Sequence, residues 1–402
     1  MRGRVLRISY FADIRFPLER ANGVQTMETC HALARRGHEV RLVVRPDSAV
    51  PQRDPLAYYG LEPVPTLTIE RVRVPASLSA RRVAYVGHSM WRSLGPSRAD
   101  VVFTRDLAIA ALLLRLPPAA RAPVVYESHG FAPAVGEDLP SMLSHAAAPS
   151  PAKRRRLERR EQMVWMRAGG YITITAALAR ELEGRFGPRP CLAVVPDGAR
   201  MPAVEDVGLR RPVDPQAPVV GYAGHLYPWK GPDVFIGAIE RLPGVHALVV
   251  GGLAGEPDLE RVRALAGRVA PGRVTFAGQV DPPRVAGLLR QADVLVLPNT
   301  PGRVSSSYTS PLKLFEYMAS GRPIVASDLP ALREVLRPDE NAVLVEAGDA
   351  ASLAAGLARV LGDAGLASRL AARAREDVRD WTWDKRAERI EALLEAVTGR
   401  QA

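Results

Sequence analysis

Apolar runs of strand length alternate with stretches of helical period along almost the whole of this sequence, and no other feature limits its fold so tightly. In the first half the runs are Arg4–Tyr10, Glu39–Val44, Thr68–Val74, Val101–Thr104, Val124–Glu127 and Tyr171–Thr175. Between the first two, Gly23 opens a helix that runs to about Arg36. Its inward face carries Val24, Met27, Cys30 (or His31) and Ala34, and Gly37 ends it. The pattern restarts at Val219–Ala223 and continues through Val245–Gly251, Val274–Gln279, Ala292–Pro298 and Pro323–Ala326. Helices over residues 350–362, 365–379 and 384–398 close it. Alternation of this kind specifies an α/β fold with a doubly wound parallel sheet. The 402 residues suffice for two such domains, placed at 1–200 and 201–380, with a Pro-rich linker over 199–217.

Composition narrows the functional classes. Hydrophobic residues make up 47% and charged residues 24%, as in a soluble globular protein. No run reaches the 18 or so apolar residues of a membrane span. The start, MRGRVLRISYFAD, lacks the apolar core and cleavage site of a signal peptide. Cys30 and Cys191 stand far apart, which suits a reduced, cytoplasmic chain. The net charge is +11, yet no basic segment is interleaved with aromatics, so no nucleic-acid platform is expected. The basic residues comprise 50 Arg and only 4 Lys. Two of those lysines, Lys230 and Lys313, fall in loops that look built for an oxyanion, where a compact ammonium fits well. There is no Asp-x-Asp and no His/Cys/carboxylate set at metal spacing, so no metal is expected.

The loops after the strands carry the chemistry. Residues 11–22, FADIRFPLERAN, form an irregular loop at the carboxyl end of the first strand, where open α/β sheets bind ligands. Gly23 follows, and a glycine at a helix start lets a phosphate or sugar approach the backbone, although an ordinary turn glycine reads the same way. The strand PVVYE runs into Ser128-His129-Gly130. A histidine at such a tip points into the ligand crevice; the alternative is a structural histidine bonded to a neighbouring loop. In the second half Gly224-His225-Leu226-Tyr227-Pro228-Trp229-Lys230-Gly231 joins a strand to a helix starting near Pro232. A cation at that mouth suits a pyrophosphate.

The stretch Ser305–Ser327, SSSYTSPLKLFEYMASGRPIVAS, reads as loop, helix, tight turn and buried strand. Ser305, Ser306 and Ser307 form a polar loop. Ser310 serves as N-cap and Pro311 as the first helical residue. Leu314, Phe315 and Met318 face inward, and Gly321 ends the helix. The helix start presents free N–H groups and partial positive charge, which suit a phosphate. Lys313 lies in the first turn and Glu316 one turn on, where a carboxylate can accept from two sugar hydroxyls. On the helix alone, a surface Lys313–Glu316 pair explains the two residues equally well.

The wording of SPLKLFEYMASGRPIVAS closely resembles the donor-site signature of retaining GT-B glycosyltransferases of glycosyltransferase family 4. The resemblance implies two Rossmann-like domains facing a cleft, with the segment 381–402 crossing back to the first. It implies transfer of a sugar from a nucleoside diphosphate, here without cofactor, to a glycan, lipid-linked or small-molecule acceptor. The helix start at Ser310, Pro311 and Leu312 would hold the donor diphosphate, and Glu316 the ribose. The family pattern has a second Glu eight residues earlier, where this chain has Tyr308. His225 stands where an Arg is usual, Lys230 matches the family's Lys, and Gly224 opens that loop. Gly278 to Val280 would meet the base through backbone groups. His129 would sit beside the transferred sugar, and Gly23 would contact the donor phosphate. Asp13 and Arg15 are candidate acceptor contacts. An epimerase on the same fold, or a silent donor-binding module, are the rival readings.

Residues 132–152, rich in Pro, Ala and Ser, read as a mobile loop. After them six of the eight residues from Lys153 to Arg160 are basic, followed by Met163, Val164, Trp165 and Met166. Such a helix can lie on an anionic membrane. The alternative is a solvated helix packed through Leu157, Val164 and Ala168.

Overall fold

A computed structural model describes residues 4–94, 98–143, 147–201 and 217–399. Most of the linker expected over 199–217 lies outside the described residues. The chain divides into two compact units. The first comprises Met1–Ala134, Pro149–Pro196 and Trp383–Ala402; the second comprises Val135–Ala148 and Asp197–Thr382.

The first unit is built on seven strands: β1 (Arg7–Arg15), β2 (Glu39–Arg45), β3 (Leu67–Arg71), β4 (Val101–Thr104), β5 (Val124–Ser128), β6 (Gly170–Thr173) and β7 (Leu192–Val194). They are parallel throughout, in the order β3-β2-β1-β4-β5-β6-β7. The second unit has six: β8 (Val219–Ala223), β9 (His246–Val250), β10 (Val274–Gly278), β11 (Val294–Leu297), β12 (Ile324–Ser327) and β13 (Val343–Val345). Their order, β10-β9-β8-β11-β12-β13, is that of a dinucleotide-binding sheet. Both sheets bury both faces, which is why β4, β5, β8, β11 and β12 are buried at every residue and show no polar alternation. In the second sheet Val220 and Tyr222 feed one core while Val219 and Ala223 feed the other.

Three segments differ from the sequence reading. β1 continues through FADIR, which was expected to be loop; its pairing with β2 slips between Phe11 and Arg15, and such a bulge re-aims the side chains beyond it. Ala132–Met142 is helical rather than loop. Pro133 falls in its first turn, where a missing N–H costs nothing, and Pro140 near its end. Arg303–Ser307 is a short helix rather than a polar loop.

The basic segment is the helix Pro151–Arg167, capped by Ser150, whose hydroxyl accepts from Lys153 N–H at 3.3 Å. Val164 and Trp165 are buried, with the indole donating to the Gly187 carbonyl at 3.0 Å; Met166 alone of the four apolar residues is exposed, at 66%. No single helix among the described residues is long and apolar enough to cross a membrane.

On the same helix Glu161 is fully buried, accepting from the Tyr171 hydroxyl at 2.6 Å and the Ala132 N–H at 3.3 Å. Burial lifts its carboxyl from 4.5 to about 7. The folded protein therefore holds a proton that the unfolded chain releases. This contribution is complete below pH 4.5 and lost as the pH rises through about 7. Glu161→Gln keeps an acceptor for Tyr171 and removes the titration. Across that window its urea midpoint should fall less than that of the wild type; parallel curves would show that Glu161 does not titrate there.

The closing helix, Trp383–Gly399, belongs to the first unit and packs on the helix Ala21–Arg35 and on β6 and β7. It buries Trp383, Ala387, Ile390, Leu393, Leu394 and Val397. Gly169 and Gly170 let Val397 approach: a Cβ on either would lie 2.8 or 3.0 Å from its methyls.

Candidate functional site

In the second sheet the strand order reverses between β8 and β11, so the loops leaving those strands part and open a crevice at their carboxyl ends. The β8 loop is held firmly. Gly224 N–H donates to the Val250 carbonyl at 2.8 Å, and the Tyr222 hydroxyl donates to the His225 carbonyl at 2.7 Å. Pro228–Lys230 forms one 3₁₀ turn, and Gly231 follows in the left-handed region at φ 71°. The Trp229 carbonyl accepts from Thr300 N–H at 3.0 Å and from its hydroxyl at 3.2 Å, tying this turn to the β11 loop.

That tie leaves no room at Gly231. A Cβ there would stand 1.6 Å from the Pro298 carbonyl oxygen, and the positive φ adds strain of about 1–3 kcal/mol. Gly231→Ala should therefore displace the Pro228–Lys230 turn, lowering both the melting temperature and the affinity for an added pyrophosphate. Wild-type values for both would show that the turn does not depend on this packing.

The helix after the β11 loop is Leu312–Ser320, ended by Gly321 at φ 72°. The cap differs from expectation. Pro311 occupies the N-cap position with no side-chain cap, and the Ser310 hydroxyl instead accepts from Asp197 N–H at 2.9 Å. A backbone donor distant in sequence has outcompeted the local one, and the helix start is left without a side-chain partner. Tyr317 locks the helix to the sheet, its hydroxyl accepting from Ala223 N–H at 2.6 Å. Lys313 is thereby placed beside Gly224, with its ammonium 4.0 Å from the centre of the Tyr222 ring. Its Nζ is buried without a hydrogen-bond partner.

Lys230 sits 5.3 Å from the Trp229 ring and 5.8 Å from the Tyr227 ring, with no acidic partner among the described residues. Burial pushes its ammonium down to about 8. Burial also pushes Lys313 well below its usual value, the charge of Lys230 adds to this, and Glu316 opposes it. The loop after β8 and the helix after β11 thus bring together two lysines that repel each other, beside an uncapped helix start. An anion placed there would relieve both lysines. Glu316 is half-buried one turn on, and Tyr308 is buried just before the helix. His225, 9% exposed, stacks on Tyr227 with ring centres 5.0 Å apart, its Nδ1 4.0 Å from Glu256. Val280 follows β10 and packs against the apolar core.

In the first unit Asp13 is paired with Arg45, at 2.8 Å, and with Arg82, which also bridges to Asp106 at 2.8 Å. Arg15 is paired with Glu19 and lies 3.9 Å from Asp47. Both proposed acceptor contacts are already in ion pairs. Gly23 lies inside the helix Ala21–Arg35; its N–H donates to the Arg20 carbonyl at 2.8 Å. A Cβ there would meet the Leu18 carbonyl at 2.3 Å and the Tyr59 hydroxyl at 2.5 Å, so packing explains the glycine.

His129 Nε2 lies 2.6 Å from Glu127 Oε1. Burial, with Arg105 nearby, outweighs the attraction of Glu127 and pushes the imidazole down to about 4, so the ring is neutral. Glu127 is fully buried, which favours its neutral form, but Arg386 at 2.7 Å, with His129 and Arg105, holds it well below the usual carboxylate range. Sequence reasoning missed Glu127 and Arg386. Glu127 gave a signal, being an acid at the end of an apolar strand, and such residues are almost never buried unpaired. Arg386 gave none. Among the described residues no group of three His, Cys, Asp or Glu is placed to hold a metal.

Comparison with known proteins follows the two units. Residues 22–198 match the model of the glycosyl transferase 4-like domain, and residues 217–363 that of glycosyl transferases group 1. A D-inositol 3-phosphate glycosyltransferase of Xylanimonas cellulosilytica is 30% identical over 390 residues, covering 90% of this chain and 88% of that protein. Its counterpart from Nocardia farcinica is 31% identical over 296 residues, 69% of this chain and 61% of its own length. Among solved structures, sucrose-phosphate synthase of Thermosynechococcus elongatus superposes with a TM-score of 0.77 at 20% identity, covering 99% of this chain and all of that one. HepE of Anabaena, in complex with UDP-glucose, gives 0.68 at 19%, covering 97% and 100%. At these identities the structures show a shared GT-B fold.

Proposed function

This chain belongs to the group 1 glycosyltransferases, and from that premise we propose that it moves a sugar from a nucleoside diphosphate to an acceptor with retention of anomeric configuration and without a metal. The observation that carries the reading is the pair Lys230 and Lys313, two unneutralised ammoniums beside an uncapped helix start. The hard step is departure of the diphosphate from the anomeric carbon. Positive groups fixed where charge grows on the phosphate oxygens lower that barrier most effectively. Lys230, Lys313, the N–H groups of Ser310 and Leu312 and His225 would serve there, Glu316 would hold the ribose, and Gly224 would let the phosphates approach. The acceptor would attack on the face the diphosphate leaves, with a phosphate oxygen taking its proton.

The donor reading favours UDP, since HepE was solved with UDP-glucose. The acceptor reading favours a phosphorylated polyol or its lipid-linked form, since the relatives are named for D-inositol 3-phosphate. The exposed basic helix Pro151–Arg167 would rest on anionic lipid at the cytoplasmic face, held by charge more than by apolar insertion. Thermal shift against UDP-, GDP- and ADP-sugars, followed by NMR of the product, tests this reading. One donor should raise the melting point by mass action. The product should keep the donor's anomeric configuration. An inverted product, or no shift with any donor, would exclude it.

A further inference from the structure

Glu127 and Arg386 are paired at 2.7 Å while only 0% and 1% exposed. Such a pair is retained only where geometry repays the lost hydration. Here the guanidinium is almost fully used. Arg386 Nη2 donates to Glu127 Oε2, Nη1 to the carbonyls of Val195 at 2.6 Å and Pro196 at 2.8 Å, and Nε to the Thr29 hydroxyl at 3.2 Å. One oxygen of Glu127 is thereby fixed, and the other is turned toward Gln25 and His129.

The second oxygen, Oε1, lies 2.5 Å from Gln25 Nε2 and 2.6 Å from His129 Nε2. Gln25 cannot turn over, because its own carbonyl accepts from Arg105 Nη1 at 2.6 Å. An ionised carboxylate has no proton to give, so each group around it must donate. A neutral imidazole has one N–H, and here it must be on Nε2. Its Nδ1 then carries a lone pair and makes no hydrogen bond among the described residues, while the side chain remains 25% exposed.

We propose that Arg386, acting through Glu127, is a positioning residue that locks His129 as its Nε2–H tautomer, so that the ring offers an Nδ1 lone pair to a hydroxyl of the bound sugar. The sugar half of this statement rests on the transferase reading; the tautomer half does not. The ring would accept a proton-bearing hydroxyl and orient it, rather than act as an acid.

The test is a long-range proton–nitrogen spectrum of the full chain labelled with nitrogen-15 histidine, with His129 assigned by its loss in His129→Asn. Near neutral pH the wild type should show a protonated Nε2 and a bare Nδ1. The double variant Glu127→Gln with Arg386→Met removes both charges together and so spares the fold. It should give a mixture of tautomers and lower kcat about tenfold, one hydrogen bond's worth, with donor KM nearly unchanged. Arg386→Lys, which keeps a charge but loses the fork, should shift the tautomer ratio the same way. A wild-type ring protonated on Nδ1 or on both nitrogens overturns the proposal. So does either folded variant with an unaltered spectrum and kcat. A wild type that holds the Nε2–H ring but transfers no sugar overturns the transferase reading and supports the lock.

Discussion

Replacing Lys230 by Ala lowers kcat/KM for sugar transfer by about 100- to 1,000-fold, the usual effect of removing one fixed group from a site of growing negative charge. The surroundings of Lys230 set the size of this effect. It has no acidic partner among the described residues, two aromatic rings lie near its ammonium, and burial holds its pKa at about 8 rather than 10.5. The folded protein bears the charge at a cost that a diphosphate would offset. The same shift fixes the sign of two companion effects. Below about 8 the charged form is destabilising to the fold, so Lys230→Ala should leave the melting temperature unchanged or slightly higher. Above about 8 the free lysine loses its proton, so nucleoside diphosphate affinity should fall in the wild type and stay flat in the variant. Steady-state kinetics and calorimetric titration across pH check both. Undiminished kcat/KM would remove Lys230 from the chemistry.

Arg386→Ala has the second large effect, on stability rather than rate. It leaves Glu127 ionised in a fully buried setting and strands the carbonyls of Val195 and Pro196. Breaking one partner out of a buried pair costs about 3–5 kcal/mol. In a unit of this size that lowers the melting temperature by about 10 °C. Glu127→Ala alone should cost a similar amount, and removing both partners should cost much less than the two losses added together. A double-mutant cycle read by thermal and urea unfolding measures that coupling. Additive losses would show that Arg386 stabilises through its contacts with the carbonyls and Thr29 instead.

The sheets were legible because a strand buried on both faces is written as an unbroken apolar run, and VVFT, VVGYA and VLVL are such runs. Lys230 and Lys313 were legible because lysine is rare in this chain and both sit at strand–loop–helix junctions. The cap at Ser310 was misread because local chemistry offers the hydroxyl a helix N–H, whereas the folded chain offers Asp197 N–H from far away in sequence. Residues 132–142 were misread because a stretch rich in Pro, Ala and Ser suggests a loop, while the first turn tolerates Pro133. Arg386 was unreadable because its meaning depends on Glu127, 259 residues earlier. Pattern reading reports what a residue does with its neighbours in sequence, and a long-range ion pair leaves no local period.

The position of Arg386 in the chain also orders biosynthesis. The first unit is discontinuous, and its last piece, Trp383–Gly399, leaves the ribosome only after the whole of Asp197–Thr382. Until then Glu127 lacks the guanidinium of Arg386, and the flank of Ala21–Arg35 that meets the last helix lacks its cover. Nascent chains normally mature from the amino end. Here the later-made unit reaches completion first, and the earlier-made one waits for its final helix.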